Sequence, residues 1–399
     1  MVLKEINLSH ICEQKIEPEY FCSVISYAHP KIKSLNLNSP QQRLEISFDG
    51  TEEELETIIK NIITKIGKPV INKESEIIFS TTSAVSSCKK DTWEELVKTG
   101  MVHDFGNGHV AYKGLFLELI HAVDSLFRCI AEKLTAIPLH LPNFIQWDCM
   151  KKLGSIEEYP HRLFFLSSLV SDIDKMEEFQ TAALSEDWTP GHYLSSPGYC
   201  LKTSACSLLY PFIENKSFSQ GTHYTMLGMC ARRESLNTNS LERLTEFQMR
   251  EIVYIGDEPG VKKFFDYSIE LFKDLLQHFD LTGHIATASD SFFVSRYNKL
   301  KLMLMLGQDK YEAHVLIPES DTTIAVASFN NHRNFFSKRF GFTFKGKEAV
   351  SACIGFGLER LVYAILSQHG LEPSKILRMI RDLKGTYEQK SSRPVKLCF

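Results

Sequence analysis

Residues 230–256 read CARRESLNTNSLERLTEFQMREIVYIG, and this stretch decides the fold. Its two ends have the composition of strands, and its middle is a polar loop with alternating arginines and carboxylates. Arginine offers a rigid fork of donors to phosphate oxygens, glutamate accepts a hydrogen bond from an amino group, and an aromatic ring stacks on a base. Arg232, Glu234, Arg243 and Phe247 therefore form a candidate nucleotide site on a hairpin.

A plainer interpretation of this hairpin is that its charges pair across a solvated loop and that Phe247 is a core residue. A second motif, CIGFGLERLVYAILSQHG at residues 353–370, favours the nucleotide site. Its glycines let a ligand approach the backbone, and Arg360 lies in the first turn of a helix that is expected to end at Gly370.

The segments around these motifs predict an α+β fold with a mostly antiparallel sheet. Short β-rich runs such as REIVYIG, KLMLMLG and YEAHVLIP alternate with turns, and one amphipathic helix, VKKFFDYSIELFKDLLQHF, interrupts them. Upstream, the apolar spacing in GLFLELIHAVDSLFRCIAEKLT predicts a long helix, and the prolines of IPLHLPNFIQW predict an extended chain after it.

Residues 1–90 predict a separate small α/β domain. RLEISFDG is typical of a strand, and TEEELETIIKNIITKIG of an amphipathic helix that begins with a capping box of Thr51 and Glu54. SEIIFSTT predicts a second strand, and TTSAVSSCKKD a linker. The large domain is expected over 91–385, followed by a fraying tail over 386–399.

Composition and charge exclude several classes of protein. With 45 Lys and Arg against 49 Asp and Glu, the net charge is −4, so a strongly basic surface for nonspecific nucleic-acid binding is not expected. No run approaches the roughly 18 apolar residues of a membrane span, and MVLKEINLSHICEQ lacks the features of a signal peptide. The sequence therefore predicts a cytoplasmic protein without a membrane partner.

The two motifs resemble the signature motifs of class II aminoacyl-tRNA synthetases, in which motif 2 contains R-x-E and motif 3 contains G-x-G-x-E-R. The resemblance implies a catalytic domain with an antiparallel sheet flanked by helices. It also implies that Arg232 binds the α-phosphate of ATP, that Arg243 binds the γ-phosphate and that Glu234 reads adenine. Phe247 would stack on one face of the adenine, and Arg360 would cover the other.

Six segments narrow the resemblance to the amino acid:[carrier protein] ligases, over about residues 105–370: LSSPGYCLKTSACSLLYP, ARRE, EFQMREIVYIG, SDSFF, SFNNHRNFF and ACIGFGLERL. These ligases are similar to the catalytic domain of the seryl-tRNA synthetase of methanogens. The resemblance implies activation of glycine, alanine or serine with ATP and transfer to the phosphopantetheine thiol of a carrier protein. Two alternatives stay open: a shortened zinc-dependent seryl-tRNA synthetase that charges tRNA, and a non-catalytic paralogue that senses an amino acid.

Ten cysteines are scattered along the chain without the close pairs of structural zinc sites, and a buried thiol is the default interpretation of each. Both relatives, however, bind a catalytic zinc through Cys, Glu and Cys, and matching the motifs gives Cys206, Glu251 and Cys353. Such a set leaves zinc one open position, which the amino group of the substrate would fill. Cys200 and Cys230 are expected to be core or supporting residues.

Several residues near the motifs are weaker candidates. Ser328 is a candidate ATP ligand, and Asn330 lies in the same segment. For His332 and Asp290, a core histidine and a turn aspartate are equally good interpretations. Glu312, in KYEAHVLIP, has a strand position that makes it a candidate for magnesium or for pairing with motif 2. Many synthetases carry an additional metal-binding carboxylate near the segment IAVASFNN, which this sequence lacks.

In class II enzymes motif 1 forms the subunit interface, and GLFLELIHAVDSLFRCIAEKLTAIPLHLP looks like that region, with Pro142 as the motif 1 proline. The resemblance therefore implies a homodimer. The alternative is that the apolar stripe of this helix packs inside its own subunit.

Overall fold

The structure is a computed structural model that describes residues 1–8, 18–38, 43–66, 75–83, 91–185, 189, 191–236, 238, 240–288 and 309–389. Its strands are β1 (Val2–Asn7), β2 (Ile32–Asn38), β3 (Arg43–Phe48), β4 (Ile77–Thr81), β5 (Val102–Gly106), β6 (His109–Tyr112), β7 (Ile137–Leu139), β8 (Phe144–Gln146), β9 (Phe165–Leu166), β10 (Tyr199–Leu201), β11 (Ser217–Phe218), β12 (Thr222–Ala231), β13 (Glu246–Gly256), β14 (Gly283–Thr287), β15 (Lys310–Ile317), β16 (Thr322–Arg333), β17 (Thr343–Phe344), β18 (Lys347–Glu348) and β19 (Val350–Gly357).

The helices are α1 (Pro18–Ile25), α2 (Glu52–Ile66), α3 (Thr92–Lys98), α4 (Leu115–Lys133), α5 (Trp147–Lys152), α6 (Ser155–Glu158), α7 (Ile173–Ala182), α8 (Leu209–Phe212), α9 (Glu258–His278), α10 (Phe335–Phe340), α11 (Leu358–His369) and α12 (Pro373–Gln389). Short 3-10 helices lie at Pro160–Arg162, Gly191–Tyr193, Ala205–Leu208 and Ser240–Glu242. Within the described ranges, no helix is both long and apolar enough to cross a lipid bilayer.

An eight-stranded sheet, in the order β4-β14-β15-β16-β19-β13-β12-β7, organises the large part of the chain. Neighbouring strands are antiparallel except β7, which lies parallel to β12. The central strand β13 is buried from Met249 to Gly256, as expected for a strand with neighbours on both sides and layers on both faces. The prediction of an α+β fold with a mostly antiparallel sheet is confirmed.

Helices α4, α9 and α11 pack on one face of this sheet and share its largest apolar core. Phe127 of α4 stacks on Phe356 of β19, with ring centroids 3.7 Å apart. Arg250 of β13 forms a two-pronged ion pair with Asp124 of α4, at 2.7 and 2.9 Å. This pair fixes α4 against the strand that also carries the candidate site.

The N-terminal part forms its own three-stranded sheet, in the order β1-β3-β2, with α1 and α2 around a small apolar core. The predicted capping box is present: the Glu54 amide donates to the Thr51 hydroxyl at 3.2 Å, and the Thr51 amide donates to the Glu54 carboxylate at 3.1 Å. We call residues 18–66, with β1, the N-terminal module.

Two expectations need correction. The strand in SEIIFSTT exists as β4, but it pairs with β14 at the edge of the large sheet and not with the small module. The expected tail also begins too early, because α12 continues to Gln389. Ile376, Ile380 and Leu383 give that helix a buried stripe, and Lys384 donates to Ser125 of α4 at 2.9 Å. KLMLMLG and most of the expected linker lie outside the described residues.

A partly buried histidine makes the stability of the fold depend on pH. His223 packs against the rings of Tyr254 and Phe264, and burial lowers its pKa from 6.5 to about 4. Below pH 6.5 the unfolded chain takes up a proton that folded His223 does not, so stability is present above about 6.5 and is lost as the pH falls towards 4.

We therefore expect this residue to account for about 2 kcal/mol of the stability lost between pH 7 and pH 5. His223→Phe keeps an aromatic ring but cannot titrate, so its free energy of unfolding should fall less over that interval. Urea unfolding at the two pH values measures the difference. Equal losses in the variant and the parent protein would contradict the prediction.

Candidate active site

Three predicted metal ligands come together on one face of the large sheet. Cys206 lies in the 3-10 helix Ala205–Leu208, Glu251 on β13 and Cys353 on β19, and all three are buried. One donor atom from each lies within 4.8 Å of the other two. Cys353 stands opposite Val253, two residues from Glu251, so both ligands project from the same face of the sheet.

Backbone amides fix the carboxylate of this cluster. The Ala205 and Cys206 amides donate to the two oxygens of Glu251, at 2.9 and 3.2 Å. Gly355 lies opposite Glu251 on β19, and a Cβ there would come within 3.5 Å of the Glu251 side chain. The two amides of a tight turn thus give the carboxylate its orientation.

Polar side chains surround the thiol of Cys353. Asn330 Nδ2 donates to its sulfur at 3.5 Å, and His332 Nε2 lies 3.4 Å from it. The other ring nitrogen of His332 contacts the Tyr210 hydroxyl at 3.1 Å and the Ser351 hydroxyl at 3.2 Å. His332 is therefore held between the metal cluster and a polar network. The sequence alone had left open whether it is a core residue or a site residue.

The electrostatics of the cluster favour a cation. Burial, followed by the charge of Cys353, raises the pKa of Glu251 to about 7. The hydrogen bond between the two thiols raises the pKa of Cys206 and lowers that of Cys353, whose thiolate His332 and Asn330 also stabilise. Three acidic groups thus lie close together in a buried space, where ionisation of one makes ionisation of the others less favourable. Two thiolates and a carboxylate are a donor set that suits zinc, and they leave one coordination position for a further ligand.

Removing the partner of the Cys353 thiolate should weaken metal binding. We expect His332→Ala to lower zinc affinity by about 10- to 100-fold, because outer partners orient metal ligands and stabilise their ionised form. Competition with a chromophoric chelator measures the affinity. His103→Ala, at an exposed position in the β5–β6 hairpin, is the control and should bind zinc like the parent protein. Equal affinities for both variants would contradict a supporting role for His332.

A second cluster lies at the hairpin between β12 and β13. Arg232 Nε donates to the Thr203 carbonyl at 3.0 Å, and its guanidinium lies 5.1 Å from the ring centre of Phe247. Phe247 and Glu251 are four residues apart on β13 and project from the same face. The arginine is thereby tied to the turn that carries Cys206, so the two clusters form one continuous site.

Glu234 is the buried centre of the arginine cluster, with 7% of its surface exposed. Burial raises its pKa, but Arg162, Arg243, Arg232 and Arg360 together lower the pKa below its usual value, so the carboxylate is charged. Arg243 reaches it at 3.2 Å from a side chain that is 47% exposed. A charged acceptor with an open cationic neighbour suits a nucleotide.

The helix after β19 closes this cluster. Arg360 Nη1 donates to the Ala325 carbonyl at 3.1 Å, and burial lowers its pKa to about 10. The preceding residue, Glu359, accepts hydrogen bonds from the Gln248 amide at 2.9 and 3.0 Å and from the Tyr112 hydroxyl at 3.0 Å. These bonds hold the start of α11 against β13, next to Phe247.

The remaining candidates differ in their surroundings. Ser328 accepts from Asn330 at 3.3 Å, which places it on the side of the metal cluster. Glu312 pairs with Lys310 at 2.9 Å and with His314 at 3.4 Å, and not with motif 2. Burial raises the pKa of the Glu312 carboxyl, but Lys310 and His314 together lower it below its usual value. Cys200 and Cys230 are buried core residues, as expected, and Asp290 lies outside the described residues.

A buried lysine beside the metal cluster was missed from the sequence, as was Arg162 beside Glu234. Lys202 is only 1% exposed, and its ammonium donates to the Leu141 carbonyl at 3.3 Å. Burial lowers its pKa, whereas Cys230, Glu251 and Cys206 raise it. Its place in the run CLKTSAC, four residues before a ligand, was the available signal. Its positive charge balances the acidic cluster.

Parts of the sequence and the fold are similar to those of known proteins. Residues 195–369 match the tRNA synthetase class II core domain (G, H, P, S and T). The type-2 serine–tRNA ligase of Methanothermobacter thermautotrophicus is 25% identical over 309 residues, which cover 74% of this chain and 60% of that protein. Amino acid–[acyl-carrier-protein] ligase 1 of Bradyrhizobium diazoefficiens is 27% identical over 285 residues, which cover 67% of this chain and 85% of that protein.

Among solved structures, M. kandleri SerRS in complex with A. aeolicus tRNASec superposes with a TM-score of 0.70 at 21% identity, over 90% of this chain and 75% of that one, which shows a shared fold. The chain spans about 60% of the length of the serine–tRNA ligases of Methanothermobacter thermautotrophicus and Methanococcus aeolicus. It therefore carries a class II tRNA synthetase core domain and is homologous to the methanogen-type seryl-tRNA ligases and to the amino acid–[acyl-carrier-protein] ligases.

Proposed function

We propose that this protein activates a small amino acid with ATP and transfers it to the phosphopantetheine thiol of a carrier protein. One observation carries the proposal: the buried cluster of Cys206, Glu251 and Cys353 lies on the strand face that also presents Phe247, and Arg232 follows the neighbouring strand. A place for an amino group thus adjoins a place for ATP.

In the proposed first step, a carboxylate oxygen of the amino acid attacks the α-phosphorus of ATP. The bond from phosphorus to the bridging oxygen breaks, and pyrophosphate leaves. Arg232, held by Thr203, and Arg243, exposed at its tip, would neutralise the charge on the phosphates. Glu234 would accept a hydrogen bond from the adenine amino group, while Phe247 and Arg360 would cover the two faces of the base.

Cys206, Glu251 and Cys353 would hold zinc, which when bound supplies a Lewis acid that binds the amino group of the substrate in its neutral form. The amides of Ala205 and Cys206 fix Glu251, and Asn330 and His332 fix Cys353. Anchoring one end of a small amino acid in this way restricts the orientation of its carboxylate, which favours the attack on ATP.

In the proposed second step, the thiol of the carrier attacks the acyl carbon of the aminoacyl adenylate. A thioester bond forms, the bond to the phosphate oxygen breaks, AMP leaves and the thiol proton passes to solvent. The lengths of the matches support a carrier protein as acceptor, because they span 85% and 88% of two acyl-carrier-protein ligases but between 54% and 72% of six serine–tRNA ligases. Zinc-dependent charging of a tRNA is the second candidate, supported by the same serine–tRNA ligases.

Two further parts of the proposal concern magnesium and assembly. Mg²⁺ would accompany the phosphates of ATP. Glu312 is a candidate ligand if Mg²⁺ replaces Lys310 as the partner of its carboxylate. A homodimer would form through the region of α4, β7 and Pro142, where Ile137 is half exposed. Cross-linking and sedimentation of the purified protein test the dimer.

Pyrophosphate exchange followed by an acceptor assay tests the proposed function. The zinc-loaded protein is incubated with ATP, labelled pyrophosphate and each small amino acid in turn. In a separate incubation the amino acid carries the label instead of pyrophosphate. Phosphopantetheinylated carrier protein or total tRNA is offered, and label on each is counted. Label on the carrier is the expected result, and label on tRNA would replace the carrier by tRNA. Absence of exchange with any amino acid would overturn activation altogether and favour an amino-acid sensor.

A further inference from the structure

The N-terminal module contacts the loop that carries the adenine-reading carboxylate. Its contacts come from Ser26 and Tyr27, which follow α1, and they fall on Arg233 and Ser235, the two neighbours of Glu234. Leu236 of the same loop packs against the apolar core of the module. We call this set of residues the docking contact.

Tyr27 lies at the centre of the docking contact. Its hydroxyl donates to the Arg233 carbonyl, and the Arg233 guanidinium lies over its ring, 5.4 Å from the centre. On the other side, the ring of His161 meets it edge-on at 5.0 Å. The Arg233 amide in turn donates to the Arg162 carbonyl at 3.0 Å, so the loop is held at both backbone groups of Arg233.

Ser235 shows why the loop needs this support. Its φ angle is +53°, a left-handed conformation that is unfavourable for a residue with a side chain. The Ser235 hydroxyl donates to the Ser26 carbonyl of the module at 2.5 Å. The strained residue directly after Glu234 is thus stabilised by a group from the module.

We infer that the N-terminal module completes the nucleotide site, and that Tyr27 is a positioning residue which holds Glu234 in the conformation that reads adenine. The inference rests on the proposed use of this loop for ATP. The carboxylate lies between the two residues that the module binds, and its own side-chain partner, Arg243, approaches from the other end of the hairpin. Without the docking contact, the loop would relax and Glu234 would lose its fixed place.

Electrostatics link the module to the same site. Burial, followed by the charge of Glu234, raises the pKa of Tyr27 to about 12, although Arg162, Arg233 and Arg243 oppose the shift. The Tyr27 hydroxyl therefore stays protonated and keeps its role as a donor. Tyr27 also lies close enough to the charged residues of the proposed nucleotide site for their charges to affect its pKa.

Two substitutions of Tyr27 test the inference. Tyr27→Ala removes the ring and the hydroxyl, and we expect it to raise the KM and the Kd for ATP about tenfold, as the loss of about one ordering interaction implies. The kcat and the KM for the amino acid should change little. Tyr27→Phe keeps the ring and should show a smaller rise in the same direction. Arg43→Ala, which breaks an exposed ion pair with Glu5 in the same module, is the control.

Hydrogen–deuterium exchange of the unliganded protein provides a second readout, which does not depend on catalysis. A peptide that contains Arg233 and Ser235 should exchange faster in Tyr27→Ala than in the parent protein and in Arg43→Ala. Unchanged exchange together with an unchanged affinity for ATP in a folded Tyr27→Ala protein would overturn the inference alone. A parent protein that does not bind ATP would overturn the inference and the proposed function together.

Discussion

Cys206→Ala is expected to lose bound zinc and to lower amino-acid-dependent pyrophosphate exchange by at least about a thousandfold. The change removes one of the three clustered donors and leaves the buried Glu251 and Cys353 without the third. The amino group of the substrate then has no fixed place, so the orientation of its carboxylate is lost. Metal analysis of the purified protein gives the zinc content, and the exchange rate at saturating ATP gives the loss of activity.

Cys230→Ala is the matched control for this experiment. Cys230 is a fully buried cysteine near the end of β12. Its thiol donates to the Gly228 carbonyl at 3.8 Å, and it is not one of the three clustered donors. Its replacement should lower stability by about 1 kcal/mol and leave the zinc content and the exchange rate near those of the parent protein. One zinc per chain in Cys206→Ala, or equal losses of activity in both variants, would disprove the assignment of the ligand.

The parts of the fold that the sequence predicted well are those with local causes. Examples are the apolar period of α4 and α9, the capping box of α2 and the glycines before α11. Each of these signals is contained within a short stretch of sequence. The edge strand β4 was placed in the wrong sheet because its partner, β14, lies about 200 residues away. The buried apolar stripe of α12 was not predicted, because the spacing of its apolar residues is informative only when α4 is known to pack against it.

In the candidate site, too, residues within motifs were predicted, whereas residues that matter through distant neighbours were not. Motif positions brought Cys206, Glu251 and Cys353 together, although they come from three separate elements. The side chains that support the site were harder to predict, because their significance comes from neighbours in space. Lys202 balances an acidic cluster that no single segment contains, and Tyr27 meets its loop across more than 200 residues.

Arg232→Ala is expected to lower the kcat of pyrophosphate exchange by about 100- to 1,000-fold, the usual effect of removing one donor that stabilises developing charge. The guanidinium is held by the Thr203 carbonyl and the ring of Phe247, so its fork is oriented before ATP arrives. Arg232→Lys keeps the charge but not the fork, and should recover only part of the rate. Arg378→Ala, at an exposed position of α12, is the control for loss of one arginine.

The zinc content of Arg232→Ala separates its effect from that of Cys206→Ala. The arginine touches the turn that carries Cys206 only through the Thr203 carbonyl, so the variant should retain its zinc while it loses ATP chemistry. Loss of metal in both variants would mean that Arg232 supports the turn rather than the phosphates. Retention of metal with an unchanged kcat would remove Arg232 from the reaction, and the role in binding the α-phosphate would have to pass to Arg243 or Arg360.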